Sequence, residues 1–222
     1  MKASNISCLI SAGPTREYFD PVRFISNPSS GKMGYAMAEA AIKRGWQVDL
    51  VSGPVCLTSP EGAVVHPVIT GDEMLREIDS LFDQCHILIM TAAVMDYRPR
   101  IYSPQKLKKS GDTSTVELDL VVDILKTITS RKSNQIVVAF AAETENLEAN
   151  AKKKLKVKNA DFIIANHVGQ AGSGFESDNT EVTLISAHGE SNNFGPDSKK
   201  AIADILIERL AEELTTLRNL NT

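Results

Sequence analysis

The chain has 222 residues, which is enough for one domain at roughly 100–200 residues per domain. Hydrophobic residues make up 42% and charged residues 23%, an ordinary globular composition that excludes disordered, collagen-like and disulfide-scaffold proteins. With 24 Lys and Arg against 28 Asp and Glu, the net charge is −4. This balance provides no global basic field for a nucleic-acid backbone, so any anion binding must be local.

Cysteine usage and hydropathy favour a reducing, aqueous compartment. The three cysteines, Cys8, Cys56 and Cys85, are widely spaced and form no C-x-x-C pair, which is typical of small buried side chains. The first residues show no secretory cleavage pattern, and no run approaches the roughly 20 apolar residues that cross a bilayer. We therefore expect a soluble, cytoplasmic protein with neither a membrane nor a nucleic-acid partner.

The first half of the chain predicts alternating strands and helices. Ile6–Ser11 is a short apolar run before Gly13-Pro14, which indicates a buried strand and a turn. After a polar loop over Thr15–Asn27, Ser29-Ser30-Gly31 opens a helix that continues to about Arg44 and ends at Gly45. The next predicted elements are, in order, strand Val48–Ser52, helix Asp72–Phe82 and strand Ile87–Met90.

A long loop opens the second half of the chain. It runs from Thr91 to about Ser114, and its length is typical of a functional lid or a small excursion, which we place near 97–114. The later predicted elements are a weak alternation over Val116–Leu120, helix Asp123–Thr129, strand Ile136–Phe140, helix Leu147–Val157, strand Phe162–Ala165, antiparallel edge strand Val182–Ser186 and helix Ser198–Leu217.

This alternation predicts an α/β fold in a single domain over 1–222. We expect a Rossmann-like three-layer sandwich, with a mostly parallel sheet, helices on both faces and an antiparallel edge. In such sheets ligands bind beyond the carboxyl ends of the strands. The loops to consider are therefore 13–31, 53–60, 91–114, 140–146 and 165–180.

The first of these loops contains a candidate phosphate site. Ser29-Ser30-Gly31 at a helix start places backbone N–H groups beside the positive end of the helix dipole. The loop lacks the G-x-G-x-x-G fingerprint, and it is not a P-loop because Met33 follows Lys32. A plain serine N-cap is the alternative interpretation.

Two further loops carry candidate nucleotide contacts. Asp96 follows a buried strand and small residues, where it would accept from a ribose hydroxyl or a base amine, or would only shape a turn. Lys106 lies in the long loop, where a mobile lysine can neutralise triphosphate charge, although lysine-rich loops are usually only solvated. Phe140 would stack on a base or pack in the core.

A second lysine cluster lies on the predicted helix near 147–157. Lys154 and Lys158 are four residues apart, so they share one helix face if the helix continues that far. This face is either solvated or part of a polyanion site. The histidines show no metal-ligand spacing; they are His66, His86, His167 and His188.

One motif suggests a different enzyme. Tyr102 and Lys106 match the Tyr-x-x-x-Lys pair of short-chain dehydrogenases, which requires one turn of helix. Pro104 lies between them and disfavours that helix, so a nicotinamide reductase is the less favoured alternative. A degenerate nucleotide-binding module without activity is the non-enzyme alternative.

Taken together, several segments resemble the bacterial phosphopantothenoylcysteine synthetases, the synthetase half of bifunctional coenzyme A biosynthesis proteins. The segments are Arg23–Gly34, Ala92–Arg98, Lys106–Lys109, Phe140–Thr144 and Phe175–Asn179. The similarity extends from about Ile6 to Leu214. The flavin-dependent decarboxylase half is absent, so the chain resembles a free-standing synthetase or an excised domain.

The resemblance implies a two-step ligase reaction. The carboxylate of 4′-phosphopantothenate attacks the α-phosphate of CTP, which releases pyrophosphate and gives an acyl-cytidylate. The amine of L-cysteine then attacks the acyl carbon and expels CMP. The resemblance also implies Mg²⁺, a homodimer with the site near the subunit interface, and a decarboxylase as a separate partner.

The resemblance assigns roles to matching residues. It implies that the Asn27 amide contacts the acyl-cytidylate, that Lys106 is the lid lysine that forms it, and that Arg23 lies near the activated carboxyl. Nucleotide contacts are implied for Ser29, Ser30, Gly31, Met90, Thr91, Ala92, Asp96, Lys106, Phe140, Lys154 and Lys158. The chain departs from many relatives at Val122, where they carry Pro, and Pro28 occupies a variable position.

Overall fold

A computed structural model describes residues 6–109, 111, 115–143, 147–167 and 177–220. Its strands are β1 (Ser7–Ala12), β2 (Arg16–Tyr18), β3 (Phe24–Ser26), β4 (Gln47–Ser52), β5 (Ala63–Pro67), β6 (Ile87–Met90), β7 (Tyr97–Pro99), β8 (Leu118–Leu120), β9 (Ile136–Glu143), β10 (Phe162–His167), β11 (Asn179–Ser186) and β12 (Ser191–Ser198). Its helices are α1 (Lys32–Lys43), α2 (Gly71–Phe82), α3 (Ile124–Thr129), α4 (Leu147–Val157) and α5 (Lys199–Leu220).

The main sheet has eight strands in the order β12-β11-β10-β9-β6-β1-β4-β5. Its six strands from β10 to β5 are parallel, whereas β11 and β12 are antiparallel to their neighbours. The chain leaves β1 toward β4, and later crosses to β6 on the other side of β1. The predicted α/β fold, mostly parallel with an antiparallel edge, is confirmed.

Helices cover both faces of this sheet. On one face α1 and α5 pack together over side chains such as Ile89 and Leu50. On the other face α2, α3 and α4 cover side chains such as Leu88. Every residue of β6 is buried because its neighbours and both helix layers enclose it, which explains its continuous apolar sequence. The two helix layers therefore hold the central strands of the sheet in place from both faces.

The structure contains elements that the sequence patterns did not indicate. β5 and β12 are polar or half-exposed edge strands, and β12 has the sequence SNNFGPDS, which lacks apolar alternation. The antiparallel orientation predicted for Val182–Ser186 is confirmed, but β12 occupies the sheet edge beyond it. Short strands β2 and β3 form a hairpin inside the loop predicted over Thr15–Asn27.

The long loop after β6 begins as an antiparallel ribbon. β7 pairs with β8, with Tyr97 opposite Leu120, so the base of the excursion is anchored by backbone hydrogen bonds. Its tip includes residues 110 and 112–114, which lie outside the described residues, as do Thr144 and Phe175 of the sequence motifs. The lid-like behaviour near 97–114 and the single domain over 1–222 stay predictions.

Candidate functional site

The predicted site residues gather at the carboxyl ends of β1 and β6. The chain changes direction across the sheet between these two strands, and open α/β sheets bind ligands at such a switch point. The loop after β1 leads through the β2–β3 hairpin into α1, and the loop after β6 carries Thr91 to Asp96. The crevice between the two loops is therefore the candidate site.

Hydrogen bonds hold these two loops together. The Thr91 hydroxyl donates to the Ser11 carbonyl at 2.6 Å, and the Ala92 N–H donates to the Ser11 hydroxyl at 3.2 Å. The Ala93 N–H donates to the Gly13 carbonyl at 2.9 Å. Because β1 and β6 are themselves paired, the floor of the crevice is preorganised without a ligand.

Gly31 sets the approach of α1 to the crevice. It caps the helix in the left-handed region, with φ 76°, a conformation that strains residues with a Cβ. The cap has no side chain, so the predicted serine N-cap at Ser29 or Ser30 is not what starts this helix. A glycine therefore begins α1, and phosphate binding by Ser29-Ser30-Gly31 stays a prediction.

Two adjoining cavities form one cleft over these loops. The main cavity, of about 530 Å³, is lined by residues from the α1 start, the loop after β6, and β9, β10, β11 and α5. The side cavity, of about 360 Å³, lies toward α3 and α4. They share five lining residues: Ala92, Val94, Asp96, Phe140 and Lys154.

Most of the predicted nucleotide contacts line this cleft. The main cavity adds Asn27, Ser29, Ser30, Gly31 and Thr91, and the side cavity adds Met90 and Lys158. Phe140 is half-buried and packs partly against the core while also lining both cavities, and its stacking on a base stays a prediction. Val122 also lines the side cavity.

Asn27 is anchored on the loop after β6. Its Nδ2 group donates to the carbonyls of Ala93 and Val94, both at 3.1 Å. These two bonds use both amide hydrogens, and they orient Oδ1 as the acceptor of the side chain. The Asn27 amide therefore holds the backbone of Ala93 and Val94, which line the main cavity.

Lys154 and Lys158 bring positive charge to the side cavity. Both are half-buried on the C-terminal part of α4 and the turn that follows, where the Lys158 N–H donates to the Lys154 carbonyl at 2.9 Å. Lys158 forms an ion pair with Asp123, the N-cap of α3. Burial lowers the pKa of Lys158, and the nearby Asp96 carboxylate opposes that shift.

Arg23 and Lys106 lie apart from the cleft. They line a separate cavity of about 540 Å³ together with Leu107, Lys108 and Lys109. The structure therefore places the predicted lid lysine and the predicted substrate-side arginine next to each other. It does not bring either of them to the lining of the cleft.

Asp20 organises this separate cluster, and the sequence patterns did not single it out. Its buried carboxylate accepts from the N–H groups of Val22 and Arg23 at 2.8 Å and of Leu107 at 3.1 Å. Burial alone would raise the pKa of Asp20, but these N–H groups and the Arg23 guanidinium lower it below its usual range. The dipeptide Asp20-Pro21, which is typical of a turn, was the sequence signal that could have indicated this role.

Two lysines of the cleft were also absent from the predicted contacts. Lys32 and Lys199, the first residues of α1 and α5, both line the main cavity. Lys199 is only 7% exposed. Nothing in the helical pattern distinguishes Lys199 from the exposed Lys200 beside it, so this contact depends on the tertiary arrangement.

Other chemistries find less support in the described residues. Tyr102 and Lys106 are both exposed, and no helix joins them, so the Tyr-x-x-x-Lys geometry is missing from this described segment. Within the ranges given above, no three His, Cys, Asp or Glu side chains cluster as metal ligands. Among the described helices, none combines the length and apolarity needed to span a bilayer.

The fold and cleft define a doubly wound α/β protein with a candidate ligand site at the carboxyl edge of its sheet. The chain belongs to the family described as the DNA/pantothenate metabolism flavoprotein C-terminal domain, whose model matches residues 3–214.

Similar proteins agree with this assignment. The chain is 44% identical over 204 residues to the coenzyme A biosynthesis bifunctional protein CoaBC of Bacillus subtilis, covering 91% of the chain and 50% of that protein. It is 44% identical over 190 residues to CoaBC of Escherichia coli, covering 84% of the chain and 47% of that protein. The crystal structure of a CoaBC C-terminal domain matches with a TM-score of 0.82 and 38% identity, covering 97% of the chain and all of that domain. The chain thus spans about half the length of these curated relatives.

Proposed function

We propose that this chain is a phosphopantothenate–cysteine ligase that uses CTP. The observation that carries the proposal is the match to a CoaBC C-terminal domain over 97% of the chain, and it is supported by a cleft that gathers most of the expected nucleotide contacts. The proposed substrates are 4′-phosphopantothenate, L-cysteine and CTP, in coenzyme A biosynthesis. A cytoplasmic location follows from that role.

In the first step the substrate carboxylate attacks the α-phosphorus of CTP. A P–O bond to the carboxylate forms, the α–β phosphoanhydride bond breaks, and pyrophosphate leaves with its electron pair. Two anions must approach each other, so preplaced cations and N–H donors lower the barrier. Lys154 and Lys158 supply cations at one side of the cleft, and Ser29-Ser30-Gly31 supplies the helix start at the other.

In the second step the cysteine amine attacks the acyl carbon. The C–N bond forms, the C–O bond to the cytidylate breaks, CMP leaves, and the amine loses a proton. Asn27 is uncharged and cannot protonate this amine. Its Oδ1 can orient the amine as an acceptor while its Nδ2 group holds the Ala93–Val94 backbone. An amide donor role toward the acyl carbonyl would require Nδ2 to leave those carbonyls.

Mg²⁺ is part of the proposal as a companion of the nucleotide. Proteins usually hold Mg²⁺ through one or two carboxylates together with substrate phosphates. Asp96 is the carboxylate shared by both cavities, so it is the residue that fits this role. When bound, Mg²⁺ would offset phosphate charge.

We also propose a homodimer. Exposed apolar side chains lie on the neighbouring strands β2–β3 and β7–β8: Phe24, Tyr97, Leu118 and Leu120. Such a surface is typical of an interface. Because Arg23 and Lys106 lie away from the cleft of their own chain, a partner subunit or a loop movement would bring them to the reacting groups. We further propose a phosphopantothenoylcysteine decarboxylase as a partner of this chain, because the curated relatives are bifunctional.

The test is pyrophosphate release from purified protein with 4′-phosphopantothenate, Mg²⁺ and L-cysteine. The proposal predicts release with CTP, together with CMP and the cysteine adduct. Release with ATP alone would keep the ligase and overturn the choice of nucleotide. No release with either nucleotide, from folded protein, would favour a binding module.

Light scattering of the purified protein tests the homodimer, and mixing Lys106→Gln with Asn27→Asp subunits tests sharing between subunits. Restored activity in the mixture would show that one subunit completes the cleft of the other. A monomer at assay concentrations would contradict the homodimer.

A further inference from the structure

A buried carboxylate outside the cleft joins two segments that lie far apart in the chain. Asp20, in the turn between β2 and β3, is fully buried, and the proposed reaction gives it no role. Its Oδ1 accepts from the Val22 and Arg23 N–H groups, both at 2.8 Å, and its Oδ2 accepts from the Leu107 N–H at 3.1 Å. One oxygen therefore shapes its own turn, and the other binds the loop that carries Lys106.

Two further contacts fasten the same loop to the same turn. The Arg23 guanidinium donates to the Leu107 carbonyl, and its Nε lies 3.4 Å from the second oxygen of the buried carboxylate. The Ser103 N–H donates to the Phe19 carbonyl at 2.9 Å. Lys106 lies between the two attachment points on the loop, so a shift of the β2–β3 turn would carry Lys106 with it.

The same carboxylate is a counter-charge for a cluster of cations. Four of them line the cavity at this turn: Arg23, Lys106, Lys108 and Lys109. Burial would raise the pKa of Asp20, but its N–H donors and the Arg23 guanidinium lower that pKa below its usual range. Asp20 is therefore ionised at neutral pH, and an ionised carboxylate accepts hydrogen bonds without donating any, which suits its three N–H partners.

We propose that Asp20 is a positioning residue for the first step of the reaction, and that it holds Lys106 and Arg23 as one unit. This role rests on the proposed function, which assigns both cations to the reacting groups. The proposed function leaves two routes to the cleft, a partner subunit or a loop movement. Because the loop is bonded to the hairpin of its own chain at Ser103 and at Leu107, the contacts favour delivery of both cations together, on the hairpin.

Asp20→Asn separates the two contacts of the carboxylate. The variant keeps one oxygen for the two N–H groups of the turn, whereas its amide group places a second donor against the Leu107 N–H. The turn should therefore survive, and the bond to the loop should be lost. Asp204→Asn is the matched control, since it removes the same charge from an exposed carboxylate that pairs with Lys43.

The readouts are amide hydrogen exchange at Leu107 and the kcat and KM of pyrophosphate release with CTP, measured well below the melting temperature of each variant. We expect the Leu107 N–H to exchange more slowly in wild type than in an unfolded chain, and to lose that protection in Asp20→Asn. A displacement of about 1 Å can lower a rate roughly 100-fold. In Asp20→Asn, kcat should therefore fall about 10- to 100-fold while the KM for CTP stays within about threefold, and Asp204→Asn should match wild type.

The outcomes separate a positioning role from a structural one. Unchanged exchange at Leu107 in Asp20→Asn, or an unprotected Leu107 N–H in wild type, would show that Asp20 does not hold the loop. Faster exchange with an unchanged kcat would overturn the positioning role, as would a loss that appears only in KM. Wild-type protein that releases no pyrophosphate with CTP would overturn the proposed function and this role together, and that result is recognised without any variant.

Discussion

At Gly34 helix α1 approaches strand β1 closely, and Gly34→Ala tests that contact. An added Cβ would lie 2.6 Å from the Ala12 Cβ and 3.2 Å from the Ala12 Cα, and it would also press on the Thr91 hydroxyl. The Ala12 atoms belong to β1 and cannot rotate away. Restoring a normal carbon–carbon distance of about 3.5 Å would require α1 to move outward by roughly 0.9 Å.

The expected cost follows from three contributions. Overpacking a core typically costs about 1–3 kcal/mol, and losing the Thr91–Ser11 hydrogen bond costs about 1 kcal/mol. Replacing Gly by Ala inside a helix stabilises the folded state by about 1 kcal/mol. We therefore expect a net loss of about 1–3 kcal/mol in the free energy of unfolding. The start of α1 would move with the helix, so CTP affinity should fall as well.

Urea denaturation of Gly34→Ala against wild type measures this loss. Glu39 is exposed on the same helix, so the difference between Glu39→Ala and Glu39→Gly measures the Ala–Gly preference without a packing term. If Gly34→Ala raises the free energy of unfolding by the same amount that separates Glu39→Ala from Glu39→Gly, the close approach does not constrain α1. The argument from Ala12 would then be refuted.

Three further predictions concern the reaction and the thiols. Lys106→Gln should abolish pyrophosphate release, and normal release would exclude its role in the first step. Asn27→Asp should accumulate acyl-cytidylate, because carboxylate oxygens would face the carbonyls that Nδ2 now contacts; a variant that forms no intermediate would contradict this role. Burial raises the pKa of Cys85 to about 12 and that of Cys8 well above its usual value, whereas Cys56 is exposed. Native-state labelling should therefore modify Cys56 rapidly and the other two only on unfolding, and rapid labelling of all three would contradict the packing.

The parts of the fold that were predictable have strong local signals. β6 is apolar throughout because both faces of the sheet are covered, and its predicted bounds are confirmed. α2 likewise has a marked amphipathic pattern and a capping box between Thr70 and Glu73. The edge strand β12 has neither an apolar run nor an amphipathic pattern. Its pairing with β11 supplies backbone hydrogen bonds, and most of its side chains face solvent, so its sequence can be polar.

The residues of the candidate site likewise differ in whether a local sequence signal predicts their position. Ser29-Ser30-Gly31 begins a predicted helix after the first predicted strand, and Asp96 follows another predicted strand. Because the carboxyl ends of parallel strands meet at one edge of the sheet, these residues are expected in one cleft, and they line the same cavity. Lys199 comes from the last helix, and its place in the cavity depends on how α5 packs against α1. The Asp-Pro turn at Asp20 could indicate its local contacts with the Val22 and Arg23 N–H groups. No spacing in the sequence reveals its contact with the Leu107 N–H, which is 87 residues away.

An isotope experiment tests the proposed ligase most directly. The protein would convert 4′-phosphopantothenate labelled with ¹⁸O in its carboxylate, in the presence of CTP, Mg²⁺ and L-cysteine. Attack of the carboxylate on the α-phosphorus, followed by cleavage of the acyl C–O bond, predicts one ¹⁸O atom in each CMP. Label in inorganic phosphate instead would show an acyl phosphate intermediate, and product formation with unlabelled CMP would contradict the acyl-cytidylate.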